Sequence, residues 1–260
     1  MPRSGASGVR AARCRRTRLR QDGPARSLCF AAVPKPISPL LLLGAFALVL
    51  LTGCGSAGNA SSTQAQKSTT ASSGPCQTVA LPAPKGVQHL RAPTLQLDPS
   101  KTWTARFTTN CGSFAIQFDV ARAPKTAASF VSLARKGFYN DLIFHRIAQG
   151  FVIQGGDPLG SGMGGPGYSI VEQPPKGLKY THGVVAMAKT ATEPDGTSGS
   201  QFFIVTAQDA GLPPQYALVG RVVQGLDVVD AIGALPLQQN ATDGPPVDPV
   251  VIQSVDVTSR

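Results

Sequence analysis

From Pro99 to the C-terminus, short apolar runs alternate with turns rich in glycine and proline, of which the chain holds 28 and 22. Runs this short are poor helices and good strands, and that constrains the fold toward sheet. "TWTARFTT" (Thr102 to Thr109) and "FAIQFDV" (Phe114 to Val120) flank a four-residue turn, "NCGS". In the second run Phe114, Ile116, Phe118 and Val120 alternate with Ala115, Gln117 and Asp119, the period of a half-buried strand. Further strands are predicted at Ile143 to Ile147, Val152 to Gln154, Val184 to Ala188, Phe202 to Thr206, Ala217 to Val222 and Val250 to Val257. Only two segments have helical spacing. "APKTAASFVSLARKGFY" puts Ala127, Phe130, Val131 and Ala134 on one face, with Pro124 near its start and Gly137 where a C-terminal cap belongs; Leu226 to Ile232 is the second. Many short strands with two helices and no internal repeat predict a mainly β domain, a closed barrel or a sandwich.

Upstream the chain has another character. Up to Lys35 there are nine Lys or Arg against one acid, Asp22; from Cys54 onward there are fifteen against thirteen. The formal charge of +10 therefore belongs mainly to the N-terminal segment. With no basic cluster or RNA-binding motif downstream, a nucleic-acid partner is not expected. The basic segment leads into "LLLLGAFALVLL" (Leu40 to Leu51), whose twelve residues fall short of the roughly 20 that span a bilayer. The run ends in "LTGC", Leu51 to Cys54, which resembles the lipobox of bacterial lipoproteins. That resemblance implies cleavage before Cys54, lipidation of its thiol and an extracytoplasmic, membrane-anchored protein; a plain secretory signal with a chance cysteine is the alternative. The basic region is long enough that Val33 is a second candidate start. "GSAGNASSTQAQKSTTASSG" (Gly55 to Gly74) has no apolar period and reads as a flexible tether. The expected organisation is a signal peptide over 1–53, a lipidated cysteine and linker over 54–75, an N-terminal extension over 76–101 and a folded domain over 102–260.

Cys14 and Cys29 would leave with the signal, so Cys76 and Cys111 remain in the mature chain. Outside the cytoplasm such a pair suits a disulfide, two buried free thiols being the alternative. The separation of 35 residues makes a bond worth about 3 to 4 kcal/mol in the chain-entropy account. His89, His145 and His182 are dispersed and no C-x-x-C exists, so no metal is expected. Gly160, Gly162 and Gly165 match G-x-G-x-x-G, but Pro166-Gly167 forbids the helix a dinucleotide site needs. Ser200, His145 and Asp157 could be drawn as a hydrolase triad, without a nucleophile-elbow sequence to support it.

Three further stretches stand out: "FHRIAQGFVIQGGD" (Phe144 to Asp157), "GVVAMA" (Gly183 to Ala188) and "GSQFFIVT" (Gly199 to Thr206). In this order, together with "APKTAASFVSLARKGFYND" and "LVGRVVQGLDVVDAI", they resemble the cyclophilin family of peptidyl-prolyl cis-trans isomerases, from about Thr102 to the C-terminus. The resemblance implies a closed eight-stranded antiparallel barrel capped by two helices, proline-containing polypeptides as substrates and no cofactor; a monomer is expected. It implies Arg146 as the catalytic arginine and Gln154 as the amide that binds a substrate carbonyl. It implies a proline pocket of Phe151, Val152, Phe203 and Leu212, walled by Tyr216 where better-known members have His. Ala188 and Lys189 match the strand edge that meets the peptide backbone. Gly211 falls where many members have the Trp important for cyclosporin binding. Residue chemistry alone leaves blander roles open: Phe151, Val152 and Phe203 as ordinary core, Arg146 as an ion-pair partner of Asp157. A non-catalytic module that grips proline segments is the alternative function.

Overall fold

The computed structural model describes residues 76–260; the expected signal peptide, the expected lipidation site Cys54 and the expected linker lie outside the described residues. The elements run in order β1 (Trp103–Thr109), β2 (Gly112–Phe118), α1 (Pro124–Arg135), β3 (Leu142–Ile143), β4 (Arg146–Ala148), β5 (Val152–Gly155), β6 (Ile170–Val171), β7 (Val184–Met187), β8 (Thr197–Ser198), β9 (Phe202–Val205), β10 (Leu218–Gln224), α2 (Leu226–Gly233), β11 (Asp243–Gly244) and β12 (Val251–Ser259). Ten strands form one sheet in the order β11-β4-β5-β9-β7-β10-β2-β1-β12-β3, and β6 pairs with β8 separately.

The sheet is a curled half-barrel, which corrects the expected closed eight-stranded barrel. Closure requires the two end strands to bond each other, whereas among the described residues β3 pairs only with β12 and β11 only with β4. The single strand predicted over Ile143 to Ile147 is broken at Phe144 and His145, so its halves serve different parts of the sheet: Ile143 pairs with Val251, Arg146 with Gln154. At the break the Phe144 amide donates to the Val250 carbonyl at 3.0 Å. The hairpin turn is also tighter than predicted. Thr109 pairs with Gly112, leaving only Asn110 and Cys111 between the strands.

Helix α1 begins with Pro124 in its first turn, where no helical N–H is needed, and ends in a Schellman motif. Gly137, at φ 67°, donates to Ala134 O at 2.9 Å and Phe138 N donates to Leu133 O at 3.1 Å. The helix docks through Phe130, fully buried between Phe202 (centroids 5.3 Å), Tyr139 (4.6 Å) and Phe107 (6.3 Å). Burying such a ring contributes roughly 2 to 3 kcal/mol.

Strands β7 and β9, and β5 up to Gln154, are apolar on both faces, and alternate residues go to different clusters. Ile153, Val185, Met187, Phe202 and Ile204 join the core shared with the helices. Val152, Val184, Ala186, Phe203 and Val205 point the other way, into a second cluster. Period-two alternation thus gives the sheet a structural face and a separate apolar face.

Residues 76–101 form no strand or helix, yet they are tied down along their length. Cys76 and Cys111 are joined in a disulfide, with an S–S distance of 2.09 Å. Gln77 N donates to Asn110 O, Lys85 N to Pro158 O and Leu90 N to Pro166 O, each at 2.8 Å. The Lys85 ammonium donates to Gly137 O and Phe138 O, carbonyls at the C-terminal end of α1. Burial lowers its pKa, while the Asp141 carboxylate opposes the shift.

Candidate active site

The register of five antiparallel strands builds one row of side chains. Arg146 of β4 stands opposite Gln154 of β5, Gln154 opposite Phe203 of β9, Phe203 opposite Ala186 of β7 and Ala186 opposite Leu218 of β10. Paired residues share a face. The guanidinium, its amide neighbour and the apolar cluster therefore lie side by side on the face turned away from the helices.

At the polar end, Arg146 Nη1 donates to Gln154 Oε1 at 3.1 Å. Gln154 Nε2 donates to Gln201 Oε1 at 3.0 Å, and Gln201 Nε2 in turn donates to Gly162 O and Gly164 O at 2.9 and 2.8 Å. On the other side, Arg146 Nε and Nη2 donate to the two carboxylate oxygens of Asp243, both at 2.7 Å. A guanidinium has five N–H groups. Three are thus engaged, leaving one on Nη1 and one on Nη2 on a side chain 37% exposed.

Next to this pair, Phe151, Ala188, Leu212 and Tyr216 pack against the cluster that holds Val152 and Phe203. Phe151 is fixed through its carbonyl, which accepts from Thr206 N and Ala207 N at 2.9 and 3.2 Å. Tyr216 meets Phe203 edge-on at 5.3 Å. Its backbone is clamped by Tyr180, whose hydroxyl donates to Tyr216 O at 2.6 Å and accepts from Tyr216 N at 2.9 Å. Burial pushes the Tyr180 pKa up to about 12, so the phenol stays protonated and able to play both parts. The Lys189 ammonium sits 5.8 Å from the centre of the Tyr216 ring and donates to Thr190 O and Glu193 O.

The structure thus brings together all nine residues that the resemblance picked out. It corrects the alternative partner for Arg146: Asp157 is buried and its carboxylate accepts from the backbone amides of Leu159, Ser161 and Gly162. The drawn hydrolase triad does not assemble either. Ser200 donates to Gly156 O at 2.7 Å, and neither ring nitrogen of the buried His145 has a hydrogen-bond partner among the described residues. Burial lowers the His145 pKa, with Asp157 opposing and Arg146 reinforcing the shift. Gln149, in the turn between β4 and β5, donates to Leu235 O at 2.9 Å. Among the described residues no group of three His, Cys, Asp or Glu could hold a metal ion.

Sequence reasoning missed Asp243, Gln201 and Tyr180. Asp243 lies in a two-residue strand with no period to detect. Gln201 sits inside the quoted "GSQFFIVT", where an amide among phenylalanines was the available signal.

The family model for "Cyclophilin type peptidyl-prolyl cis-trans isomerase/CLD" matches residues 104–257. The chain belongs to the cyclophilin family. This cyclophilin is 39% identical to peptidyl-prolyl cis-trans isomerase-like 1 of Aspergillus fumigatus, over 56% of its own length and 89% of the relative's. It is 38% identical to peptidyl-prolyl cis-trans isomerase A of Mycobacterium tuberculosis, over 62% and 94%. Among solved structures it resembles a cyclophilin type peptidyl-prolyl cis-trans isomerase of Cryptosporidium parvum, with a TM-score of 0.56, 31% identity and coverage of 61% of this chain and 99% of that one. The same protein in the presence of the dipeptide Ala-Pro matches with a TM-score of 0.55 and 30% identity, over 60% and 99%.

Proposed function

We propose that this cyclophilin isomerises X-Pro bonds in secreted or envelope polypeptides, working outside the cytoplasm from a lipid anchor at Cys54. The observation that carries the isomerase reading is the row Arg146–Gln154–Phe203, which sets an uncommitted pair of guanidinium N–H groups beside the apolar cluster of Val152 and Phe203, with Phe151, Leu212 and Tyr216 packed against it. An X-Pro bond rotates against a barrier of roughly 18 to 20 kcal/mol that arises from resonance between the nitrogen lone pair and the carbonyl. In the twisted transition state that lone pair localises on nitrogen and accepts a hydrogen bond, so a donor placed there binds the transition state better than either planar isomer. Arg146 supplies the donor, Gln154 holds the neighbouring carbonyl, and Phe151, Val152, Phe203, Leu212 and Tyr216 hold the ring while the chain on its other side turns. Lowering the barrier by about 5 to 7 kcal/mol speeds rotation roughly 10⁴ to 10⁵-fold, from tens of seconds to milliseconds. No bond breaks, and the step needs no cofactor.

A proline-isomerisation assay on the chain from Cys76 onward tests the reading, with wild type and Arg146→Ala side by side. Wild type accelerates isomerisation, and the variant loses roughly 10² to 10³-fold in kcat, the usual cost of removing one transition-state donor. A folded wild type that binds proline peptides without accelerating them overturns the enzyme reading in favour of a binding module. The location rests on the apolar run ending in "LTGC" and on a disulfide that suits an oxidising compartment. Mass spectrometry of the mature N-terminus tests it: a diacylated Cys54 is expected, and an unmodified N-terminus elsewhere overturns the anchor.

A further inference from the structure

A groove of about 460 Å³ opens beside the active site and shares Gln154, Ala188 and Lys189 with it. One part of its wall, Val87 and Gln88, comes from the N-terminal extension. Those residues lie outside the 104–257 span that the family model matches, so this wall belongs to the present chain and not to the family pattern.

The wall is a built feature. Gly86, at φ 76°, makes a turn that the Gln88 side chain closes by donating to Lys85 O and Gly86 O at 3.1 and 3.2 Å. Hydrogen bonds from Lys85 N to Pro158 O and from Leu90 N to Pro166 O pin the backbone on either side. Gly167 lets the strap approach: a Cβ there would meet the Gln88 carbonyl oxygen at 2.5 Å. Between these fixed points Val87 is left 71% exposed at the groove, with Met163, 83% exposed, also on its lining. Two large apolar side chains held in water at the rim of a substrate groove mark a place for apolar contact. The charged groups in the groove are already satisfied internally: the Lys189 ammonium by Thr190 O and Glu193 O, and the Glu193 carboxylate by the amide and hydroxyl of Thr190. Their charges are opposite in sign, so the groove carries no net formal charge to select a charged guest.

We infer that the strap makes Val87, with Met163, a specificity element that receives a large apolar side chain flanking the X-Pro bond of the same polypeptide. The inference rests on the isomerase reading for its substrate. A peptide whose proline fills the pocket and whose backbone meets Gln154 and Ala188 continues into the groove, because those residues line both.

Peptides that differ only in one residue flanking the X-Pro pair, Leu, Gly or Lys, are compared for kcat/KM and, by calorimetry, for affinity. Wild type favours Leu over Gly; Val87→Ser lowers that ratio roughly 3 to 10-fold. Val87→Asp, which keeps the strap's backbone bonds, turns the preference toward Lys, a reversal that mere loosening of the strap does not produce. A wild type indifferent to the flanking residue, or a Leu-to-Gly ratio unchanged by both substitutions, overturns the proposal. Affinities ordered by flank with no turnover of any peptide overturn the isomerase reading and leave the specificity element standing, so the two failures are distinct.

Discussion

Asp243→Ala removes the carboxylate that holds Arg146 through two 2.7 Å hydrogen bonds. Both partners are substantially exposed, 37% and 51%, so the loss of stability is small, about 0.5 to 1 kcal/mol even with bidentate geometry. The effect on turnover is larger. With Asp243 gone, only the 3.1 Å contact with Gln154 restrains the guanidinium, and the transition state must order a rotamer-rich side chain that the wild type keeps in place. Ordering such a side chain costs about 0.5 to 1.5 kcal/mol, which converts to a roughly 2 to 12-fold fall in rate. Because the lost placement matters most in the twisted state, kcat falls and KM changes little. Exchange spectroscopy on a saturating proline peptide reads kcat directly, and a concentration series gives KM. Asp243→Glu, which keeps two acceptor oxygens, recovers part of kcat; Asp243→Asn, with one acceptor and no charge, falls between. A kcat for Asp243→Ala equal to or above wild type refutes the reasoning and makes the carboxylate a competitor for Arg146, not its support.

Loss of the disulfide through Cys111→Ser removes about 3 to 4 kcal/mol by the loop-entropy account for a separation of 35 residues. In a domain of this size that is a fall in Tm of roughly 6 to 16 °C; equal melting of reduced and oxidised protein refutes it. Tyr180→Phe leaves the Tyr216 amide and carbonyl without their shared partner, costing about 1 to 3 kcal/mol in denaturant titrations and raising KM through a looser Tyr216. An unchanged KM counts against the clamp. His145, kept neutral by burial, has a folded pKa below its ordinary 6.5, so the folded state binds fewer protons than the unfolded chain beneath that pH. Its contribution to stability is full above pH 6.5 and is lost as the pH falls through the folded pKa. A His145→Phe variant therefore loses less stability than wild type between pH 7 and pH 5, and parallel profiles refute the assignment.

The strands legible in the sequence were those with apolar alternation or a solid apolar run, such as Phe114 to Phe118 and Phe202 to Val205. Helix α1 was legible from spacing and caps, because Pro124 and Gly137 do in the structure what their backbone limits dictate, and the second short candidate, Leu226 to Ile232, falls within α2. β6, β8 and β11 have two residues each, too few for any period to register. The open sheet was hidden for a related reason. Phe144 and His145 continue an apolar run, and nothing local says that its two halves pair with strands far apart in the chain. In the site, the residues that touch the pocket were legible through family motifs. Those that hold them in place, Asp243 and Tyr180, act through contacts 97 and 36 residues distant in sequence, which only the folded register brings together.

The row from Leu218 to Arg146 crosses the sheet from its interior to β4, the strand next to the edge, and that position grades its protection against solvent exchange. Amides of β7 and β9, bonded on both sides and buried on both faces, open only when the domain does. β11 is held by two residues, at the margin, and frays first. A brief departure of β11 would free Arg146 from Asp243 while the apolar cluster proposed to hold the proline stays intact. Hydrogen exchange at Gly244 faster than at Gln154 would time that release, and so measure how often the donor is unclamped while the ring is still gripped.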